Sequence, residues 1–386
     1  MHPTRSMLMP FVRTLSNLMH EPGDNILALL TEAFNGYGGI AQYNCDLMSE
    51  VAELPSVNRL EILPRLSEKQ GVLRKGKLVQ KRAIHNKRLY ALHAMVRTIA
   101  TRPRMIFCGH LFHAPLAAIL SKLSGALLVN QLHGTEVWGS LSSELVDALE
   151  KSDRILCVSE HTKSVLLSSL SFPEEKILVV PNRVRSSFAP QDRQTSRRHF
   201  GVGANPVVLT VGRLDDRGGY KGHDRVLTLM APLRDRGLVF DYLIVGEGDD
   251  RSRLEALAKE QGVMGSVHFL GRVPDEDLPG LYSAADLFAL PSTGEGFGIV
   301  FIEATACGTP AIGLNVGGAS EALCQGELGE TVSSGEFAQR FESALVRSLQ
   351  RTDEDRAKLS ALTHTKFGAE VFRDRVETAF EFESSD

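Results

Sequence analysis

The chain has 386 residues, of which 43% are hydrophobic and 23% are charged, and its formal net charge is −4. This composition is ordinary for a soluble globular protein and excludes a collagen-like or largely disordered chain. At roughly 150 residues per domain, the length predicts two or three domains with their own cores, and two is our working expectation.

The sequence predicts neither a membrane-spanning helix nor a secretory signal. The best apolar candidate, residues 116–132, is interrupted by Lys122 and does not reach the roughly 18 apolar residues that a spanning helix needs. Residues 1–11 contain Arg5 and lack a small-residue cleavage site. Five cysteines without a CxxC spacing indicate reduced thiols rather than disulfides or a zinc site. We therefore expect a cytoplasmic protein with no bound metal.

Basic residues are concentrated in one segment. Between Arg59 and Arg104, thirteen Lys or Arg accompany only Glu61 and Glu68, a net +11, so the rest of the chain carries −15. Anionic lipid attracts nearby basic residues by about 1 kcal/mol each. The segment predicts docking on an anionic membrane at the inner face of the plasma membrane, with a solvated helical face as the alternative. Nucleic acid is disfavoured, because Tyr90 is the segment's one aromatic residue that could stack on a base.

The first half of the chain alternates short apolar runs with helical patterns. Residues 25–34 predict a buried strand, NGYGG at 35–39 a turn, and residues 40–54 a helix. This alternation indicates a parallel sheet with crossover helices. Further strands are predicted over 105–108, 126–131, 154–158 and 177–180, and helices over 114–123 and 160–170.

The second half repeats the alternation after a polar stretch without periodicity. Residues 191–205 are interpreted as a linker between a domain at 1–190 and a second at 206–365, with a C-terminal helix in 366–386 that crosses back to the first. The predicted fold class is α/β, with two doubly wound, Rossmann-like domains facing each other across a cleft. Ligands in such sheets lie beyond the carboxyl ends of the strands. Strands are predicted over 206–211, 240–245, 267–270, 286–290 and 310–313, and helices over 224–236, 251–262, 278–284 and 300–307.

The most informative stretch is PSTGEGFGIVFIEATACGTP at 291–310, where a Gly-rich loop joins a strand to a helix starting near Phe297. Backbone N–H groups at such a helix start can hold hydroxyls or phosphates. Glu295 lies in the loop and Glu303 follows eight positions later. From the spacing alone, two ordinary surface glutamates are the simpler interpretation.

Charged residues also follow the first strand of the second half. Arg213 ends VGR and Lys221 opens KGHD. Arginine as a planar fork and lysine as a point charge suit a diphosphate, although solvated loop charges are an equally good interpretation in isolation. The glycines of VGEG at 245–248 and NVGG at 315–318 predict close approach of backbone segments.

Two further signals leave alternatives open. GxGxxA from Gly36 to Ala41 formally matches a dinucleotide fingerprint, which allows an NAD(P)-dependent oxidoreductase. Its acidic partner would be Glu53, inside a predicted helix, or Glu61, which comes late. His133 in HGTE follows an apolar run, which places an imidazole at a strand end.

In this order the motifs resemble the retaining glycosyltransferases of family 4, which have the GT-B fold. The likeness covers most of the chain, and its most specific mark is the pair Glu295 and Glu303, with seven residues between them. It runs through TEAFNGYGGIAQYN, HGTEVW, VSEHTKS, VVPNRV, VGRLDDRGGYKGHD, IVGEGDD, HFLGRV, EGFGIVFIEATACGTP and VGGASEAL.

The resemblance implies a nucleotide sugar, a UDP- or GDP-sugar, as substrate and no cofactor. It assigns Arg213 and Lys221 to the diphosphate, Glu303 to the ribose hydroxyls and Glu295 to hydroxyls of the transferred sugar. His133 would approach that sugar as a second catalytic residue. The remaining donor contacts that it implies are the backbone N–H groups of Phe297, Gly298 and Ile299 for the sugar, Arg272 and Val273 for the base, and Gly38 and Gly39 for the phosphates and acceptor.

Two positions depart from the family pattern. The spacing from Arg213 to Lys221 is longer than in many relatives, and Asp215, Asp216 and Arg217 occupy the additional loop. PNRV lacks the glycine that usually follows its asparagine.

The mechanism that the resemblance implies is a metal-independent, retaining transfer to a glycan or polyprenyl-linked glycan in surface-polysaccharide assembly. Lys221, Arg213 and a helix start near Gly317 and Gly318 would stabilise the departing diphosphate. The acidic triplet at 275–277 is interpreted as a helix cap. A nucleotide-sugar-binding protein without catalysis is a third hypothesis, disfavoured by the joint presence of Glu295, Arg213 and Lys221.

Overall fold

The computed structural model describes residues 25–69, 71–215 and 220–382. The features predicted at residues 1–11, and Asp216 and Arg217 of the additional loop, lie outside these residues. The chain divides into two compact units, one reaching to Gln131 and including Ser142–Ile155, the other formed by Leu132–Leu141 and the chain from Leu156 onward. The domain boundaries predicted at 191–205 and at 366 stay predictions.

The first sheet has eight strands in the part of the chain that the structure describes. They are β1 (Asn25–Leu30), β2 (Arg59–Pro64), β3 (Leu73–Lys75), β4 (Leu78–Gln80), β5 (Met105–Cys108), β6 (Leu127–Leu132), β7 (Arg154–Cys157) and β8 (Ile177–Val179). Their order is β3-β4-β2-β1-β5-β6-β7-β8. The pairs of β1 with β2 and β5, of β2 with β4 and of β5 with β6 are parallel, whereas β3 runs antiparallel to β4.

Among the described residues, five helices accompany these strands. Asn86 caps the second of them by accepting hydrogen bonds from Arg88 N and Leu89 N, and Ser159 caps the fifth by accepting from Thr162 N, as polar residues at helix starts do. The helices are α1 (Gly39–Glu53), α2 (Lys87–Thr101), α3 (Ala114–Ser124), α4 (Ser143–Glu150) and α5 (Glu160–Ser169).

The second sheet is wholly parallel and has six strands. They are β9 (Val207–Val211), β10 (Asp241–Val245), β11 (Val267–Gly271), β12 (Leu287–Leu290), β13 (Ala311–Leu314) and β14 (Gly329–Val332). Their order is β11-β10-β9-β12-β13-β14. The direction in which the chain adds strands reverses between β9 and β12, and a crevice for ligands opens outside the carboxyl ends of the strands at such a point.

Nine helices belong to this part of the described chain. Their core side chains pack on the sheet around Val208, Tyr242, Leu254 and Phe341. The helices are α6 (Arg193–His199), α7 (His223–Asp235), α8 (Arg251–Glu260), α9 (Leu278–Ala284), α10 (Ile299–Ala306), α11 (Ala319–Ala322), α12 (Phe337–Ser348), α13 (Asp353–Phe367) and α14 (Ala369–Phe380).

None of the helices in the described ranges is both long and apolar enough to cross a membrane.

The α/β class and the alternation of strands and helices are confirmed, and most predicted elements match within two residues. The first predicted strand was too long: β1 ends at Leu30, because the chain then turns, with Gly36 N donating to Ala33 O and Asn35 at φ 67°. A run of apolar residues marks burial but does not show where a strand stops.

The segment 191–205, predicted as a linker, contains helix α6, which the sequence analysis did not predict. Asp192 caps this helix, and Arg193 and Arg197 both form ion pairs with the buried Asp286 just before β12. Asp286 Oδ2 also accepts a hydrogen bond from Val207 N at 2.7 Å. A helix held by charges on a distant segment has no apolar periodicity of its own to reveal it.

Candidate functional site

The candidate site lies on two loops of the second unit, one after β9 and one after β12. Leu287 of β12 pairs in parallel with Val208 of β9, so both loops leave the same edge of the sheet at its switch point. The loops are joined directly, because Thr293 N donates a hydrogen bond to Tyr220 O at 2.8 Å.

Lys221 and Glu295 form an ion pair where these loops meet. Lys221 Nζ lies 2.6 Å from Glu295 Oε1, and Ser292 Oγ donates to the same oxygen at 3.0 Å. Glu295 is buried, and a buried carboxylate is stable only with partners of this kind. The lysine stem crosses the end of β9, where a Cβ at Gly212 would lie 3.7 Å from Lys221 Cγ. The structure thus brings together two residues that the sequence analysis assigned to different parts of one donor.

Arg213 takes a different position. Its side chain is 62% exposed, and Nη2 lies 3.5 Å from Asp215 Oδ2. An exposed pair of this kind contributes little to stability and can exchange its partner readily. The guanidinium therefore stands next to the end of β9 without belonging to the Lys221–Glu295 pair.

Glu303 is buried within α10, where Tyr282 Oη donates to its Oε2 at 2.9 Å. Burial raises the pKa of Tyr282 well above its ordinary value, and the negative charge of Glu303 raises this pKa further. Because the phenol stays protonated, it acts as a fixed donor that orients the Glu303 carboxylate.

The helix that carries Glu303 begins at Ile299, two residues after the predicted start near Phe297. Gly298 is its N-cap at φ 98°, and no side chain caps the helix. The first N–H groups of a helix have no acceptor within it, and the helix dipole makes this end attractive to oxygen ligands. Phe297 is buried with its ring 5.5 Å from that of Phe367, which anchors the loop just before this helix end.

The backbone of Glu295 is fixed by the glycine turn after β13. Gly318 N donates to Glu295 O at 2.8 Å, and a Cβ at Gly317 would lie 1.9 Å from that oxygen. This contact corrects the prediction that the helix start near Gly317 and Gly318 holds a diphosphate. The Gly318 amide already serves Glu295, and α11 is a single turn.

The loop carrying His133 contacts the loop of Glu295 through its backbone. A Cβ at Gly296 would lie 1.8 Å from His133 O, so only glycine fits there. Ser159 Oγ donates to Gly296 O at 2.8 Å, and His133 N donates to Glu136 Oε1. His133, the second catalytic candidate, therefore lies in a loop whose backbone contacts the loop that carries Glu295.

Sequence reasoning missed two residues that hold these loops. The ring of Trp138 lies against Gly294, where a Cβ would be 2.6 Å from Cζ3. The Glu321 carboxylate accepts hydrogen bonds from Glu160 N at 2.7 Å and His161 N at 2.9 Å, at the start of α5. Burial raises the pKa of Glu321, and these two hydrogen bonds oppose the rise. The motif VGGASEAL marked Glu321, but not its partners about 160 positions earlier.

The other predicted donor residues lie apart from this pair. Arg272 is exposed and Val273 half-buried, just after β11 at one edge of the second sheet. Gly38 and Gly39 belong to the first unit, where Gly38 precedes α1 at φ 94° and accepts a backbone hydrogen bond from Gln42 N.

The acidic triplet at 275–277 does not cap a helix through its side chains as predicted. Asp277 is the N-cap of α9 but accepts no capping hydrogen bond, and Asp275 Oδ2 lies 3.3 Å from Arg185 Nη1. Within the described residues, no group of three or more His, Cys, Asp or Glu is arranged to hold a metal ion.

The two halves of the chain match two protein-family models. Residues 192–361 match the model described as "Glycosyl transferases group 1", and residues 37–187 match "Glycosyltransferase Family 4". The oxidoreductase alternative finds no support in these matches. The geometry agrees: Glu61, one candidate acidic partner of GxGxxA, is buried and bonded to Arg59 and Arg97.

Curated relatives are about one third identical in sequence to this chain over the aligned residues. A GDP-mannose-dependent alpha-(1-6)-phosphatidylinositol monomannoside mannosyltransferase of Mycolicibacterium smegmatis is 34% identical over 57% of this chain and 61% of its own length. A 2-deoxystreptamine glucosyltransferase of Streptomyces kanamyceticus is 31% identical over 55% and 54%. The matches thus span between about half and two thirds of these relatives.

Solved structures share the fold of nearly the whole chain. The crystal structure of Anabaena HepE in complex with UDP has a TM-score of 0.71 at 20% identity, covering 92% of this chain and 98% of that one. At this identity the likeness shows the fold alone, and the fold is GT-B, with two parallel-sheet α/β domains.

Proposed function

The chain belongs to the group 1 glycosyltransferases of family 4, and from this premise we propose that it transfers a sugar from a nucleotide-sugar donor to a hydroxyl of an acceptor. The observation that carries the proposal is the Lys221–Glu295 pair at the switch point of the second sheet. A lysine that can bind a phosphate and a carboxylate that can bind hydroxyls are the two groups that a sugar diphosphate needs at one place.

We propose that the donor's diphosphate binds Lys221 and Arg213. A diphosphate that reaches Lys221 competes with Glu295 for the ammonium group. Glu295 then accepts hydrogen bonds from hydroxyls of the sugar, while Ser292 continues to hold one of its oxygens. Binding of the diphosphate to Lys221 would thereby free the Glu295 carboxylate to bind the sugar.

The nucleoside is assigned to Glu303 and to the segment after β11. Tyr282 fixes the Glu303 carboxylate, so that it can accept hydrogen bonds from the two ribose hydroxyls. Arg272 and Val273 would face the base. The name of one relative specifies GDP-mannose and one structural neighbour holds UDP, so both nucleotides belong in the first experiment.

The reaction develops positive charge at the anomeric carbon and negative charge on the departing diphosphate. Lys221 and Arg213 supply fixed positive charge there, and a well-placed group of this kind contributes about 3 to 4 kcal/mol to transition-state stabilisation. We propose that this charge serves in place of a divalent metal. The uncapped start of α10 at Phe297, Gly298 and Ile299 would hold sugar hydroxyls through its N–H groups.

We propose that the transfer retains the anomeric configuration. The acceptor would attack the face that the diphosphate leaves, with a phosphate oxygen taking the acceptor's proton. His133, held beside Gly296, would donate a hydrogen bond to the transferred sugar.

The acceptor is proposed to be a glycan or polyprenyl-linked glycan, in the assembly of a surface polysaccharide. The acceptors named in two relatives, a phosphatidylinositol mannoside and 2-deoxystreptamine, also present ring hydroxyls. An acceptor panel should therefore contain lipid-linked and soluble ring polyols.

The testing experiment is thermal unfolding with UDP or GDP, each with and without EDTA. A ligand at 100 times its dissociation constant stabilises the folded protein by about 2.7 kcal/mol. We expect a shift with one nucleotide that EDTA leaves unchanged. Loss of the shift in EDTA would contradict metal independence, and no shift with either nucleotide would contradict the donor site. The proton coupling of the product's anomeric centre would then test retention.

A further inference from the structure

Helix α2 presents apolar side chains where a surface helix normally presents polar ones. Leu89, Leu92, Met95, Val96 and Ile99 are between 36% and 67% exposed. The opposite side of the helix, with Tyr90, Ala94 and Thr98, is the buried one. A helix that packs on a core through one face usually has charged residues on the other, so the apolar outer face of α2 requires an explanation.

The neighbouring helix adds to this apolar surface. Helix α3 packs against α2. Phe112, just before α3, and Ile119 and Leu123 within it are also exposed. Single exposed apolar residues are normal on a protein surface, but a concentration on two adjoining helices marks an interaction site.

The charged residues of α2 and α3 themselves all have one sign. The sequence contains no Asp or Glu between Glu68 and Glu136. Arg88 and Arg102 are exposed at the two ends of α2, and Lys122 is exposed on α3. The carboxylate of Glu61, which accepts hydrogen bonds from Arg97 of α2, is buried.

We propose that the outer face of α2 is a docking surface for an anionic lipid bilayer. Leu92, Val96 and Ile99 would enter the boundary between headgroups and acyl chains, and Arg88 and Arg102 would contact lipid phosphates. An interfacial helix of this kind buries its apolar face about 5 to 10 Å into that boundary and gains from cations at its edges. The sequence predicted attraction by charge, and the structure adds the apolar face that would insert.

Charge complementarity selects this occupant over a second copy of the chain. Two copies joined through this face would bring cations against cations with no carboxylate from residues 69–135 to neutralise them. An anionic bilayer supplies both the negative charge and the apolar layer. The inference goes beyond the proposed reaction, since docking needs neither donor nor acceptor.

The experiment is flotation of the purified full-length chain with vesicles of phosphatidylcholine alone or mixed with phosphatidylglycerol. We expect binding to the mixed vesicles, weakened by salt, and a loss of about tenfold in L92Q/I99Q. The matched control is V346Q/L349Q, which changes two exposed apolar residues of the second unit and should bind like wild type. Equal binding by both double variants, or no binding by wild type, would overturn the proposal. So would ultracentrifugation showing a dimer that L92Q/I99Q dissociates.

A second measurement uses the fluorescence of a tryptophan introduced on the outer face of α2. Leu92→Trp places an indole on it, in a chain whose other tryptophan is Trp138. Brominated lipid should quench the added fluorescence in Leu92→Trp but not in Val346→Trp. Equal quenching in the two variants contradicts insertion by α2. The nucleotide-induced thermal shift, measured without lipid, stays unchanged in L92Q/I99Q, so failure of docking and failure of the proposed transfer are distinguishable.

Discussion

Lys221 Nζ lies 2.6 Å from Glu295 Oε1, joining two loops whose residues are 74 positions apart. Both side chains are mostly buried, and Ser292 completes the arrangement at the carboxylate. Each member of the pair therefore limits what the other can bind. A ligand with phosphate and hydroxyl groups must satisfy both when it separates them.

Lys221→Ala should weaken the binding of a nucleoside diphosphate by about tenfold to a hundredfold, because it removes a charge-assisted contact. Isothermal titration with UDP and GDP measures the effect. Lys259→Ala, at an exposed lysine of α8, is the control and should bind like wild type. Arg213→Ala should also weaken binding. Unchanged affinity in both Lys221→Ala and Arg213→Ala would contradict the diphosphate assignment.

Glu295→Gln should lower turnover by about a hundredfold or more, as expected for loss of a group that acts on the reacting sugar. Nucleotide affinity should stay the same or rise, because the amide no longer competes for Lys221. Parallel measurements of transfer rate and of nucleotide dissociation constant separate the two effects. Full turnover, or an affinity loss as large as that of Lys221→Ala, would place Glu295 outside this role.

The local sequence predicts the elements of this site, but not the contacts between them. The strand, glycine loop and helix around Glu295 and Glu303 could be predicted, since each element has its own apolar pattern. The pairing of Lys221 with Glu295 and the bond from Gly318 to the Glu295 carbonyl could not, because they join segments that meet only in the folded sheet.

The same limit explains why helix α6 was not predicted. Helix α6 depends on Asp286, which lies almost a hundred positions away. The exposed apolar face of α2 was not predicted for a different reason. A helix apolar on both sides has no polar face from which to assign its orientation.

Gly317→Ala should disrupt the site without touching a proposed ligand contact. Its Cβ would lie 1.9 Å from the Glu295 carbonyl, and its φ of 56° is unfavourable for alanine. We expect turnover to fall at least tenfold. A displacement of a reacting group by roughly 1 Å can lower the rate by about a hundredfold. Gly265→Ala is the control, because no atom of the described residues lies within 4 Å of its Cβ position. Equal activity of the two variants would show that the Gly317 turn does not position Glu295.

Glu61→Gln should destabilise the protein by about 3 kcal/mol, because it removes the buried partner of several cations. Glu61 Oε1 lies 2.6 Å from Arg97 Nε, and Arg59 and Lys81 approach the other oxygen. Urea unfolding followed by circular dichroism gives the change. Glu255→Gln, which breaks an exposed pair with Arg251, should cost less than about 1 kcal/mol. Comparable losses in the two variants would mean that the Glu61 cluster contributes no more than a surface pair.

Two buried histidines should make stability depend on pH. Burial lowers the pKa of His113 to about 3 and that of His223 to about 4, from an ordinary value of 6.5. Between about pH 6.5 and these values the unfolded chain binds more protons than the folded one, so stability falls as the pH falls. The slope reaches about 1.4 kcal/mol per pH unit for each histidine.

His113→Phe tests one of these contributions, since it keeps a ring beside Tyr90, whose centroid lies 5.2 Å from that of His113. The overall stability of this variant can differ from wild type, so the informative quantity is the change in urea midpoint between about pH 7 and about pH 5. We expect that change to be smaller in His113→Phe, because the unfolded variant has one fewer group to protonate. An equal change in the two proteins would mean that His113 takes up its proton as easily in the folded chain as in the unfolded one.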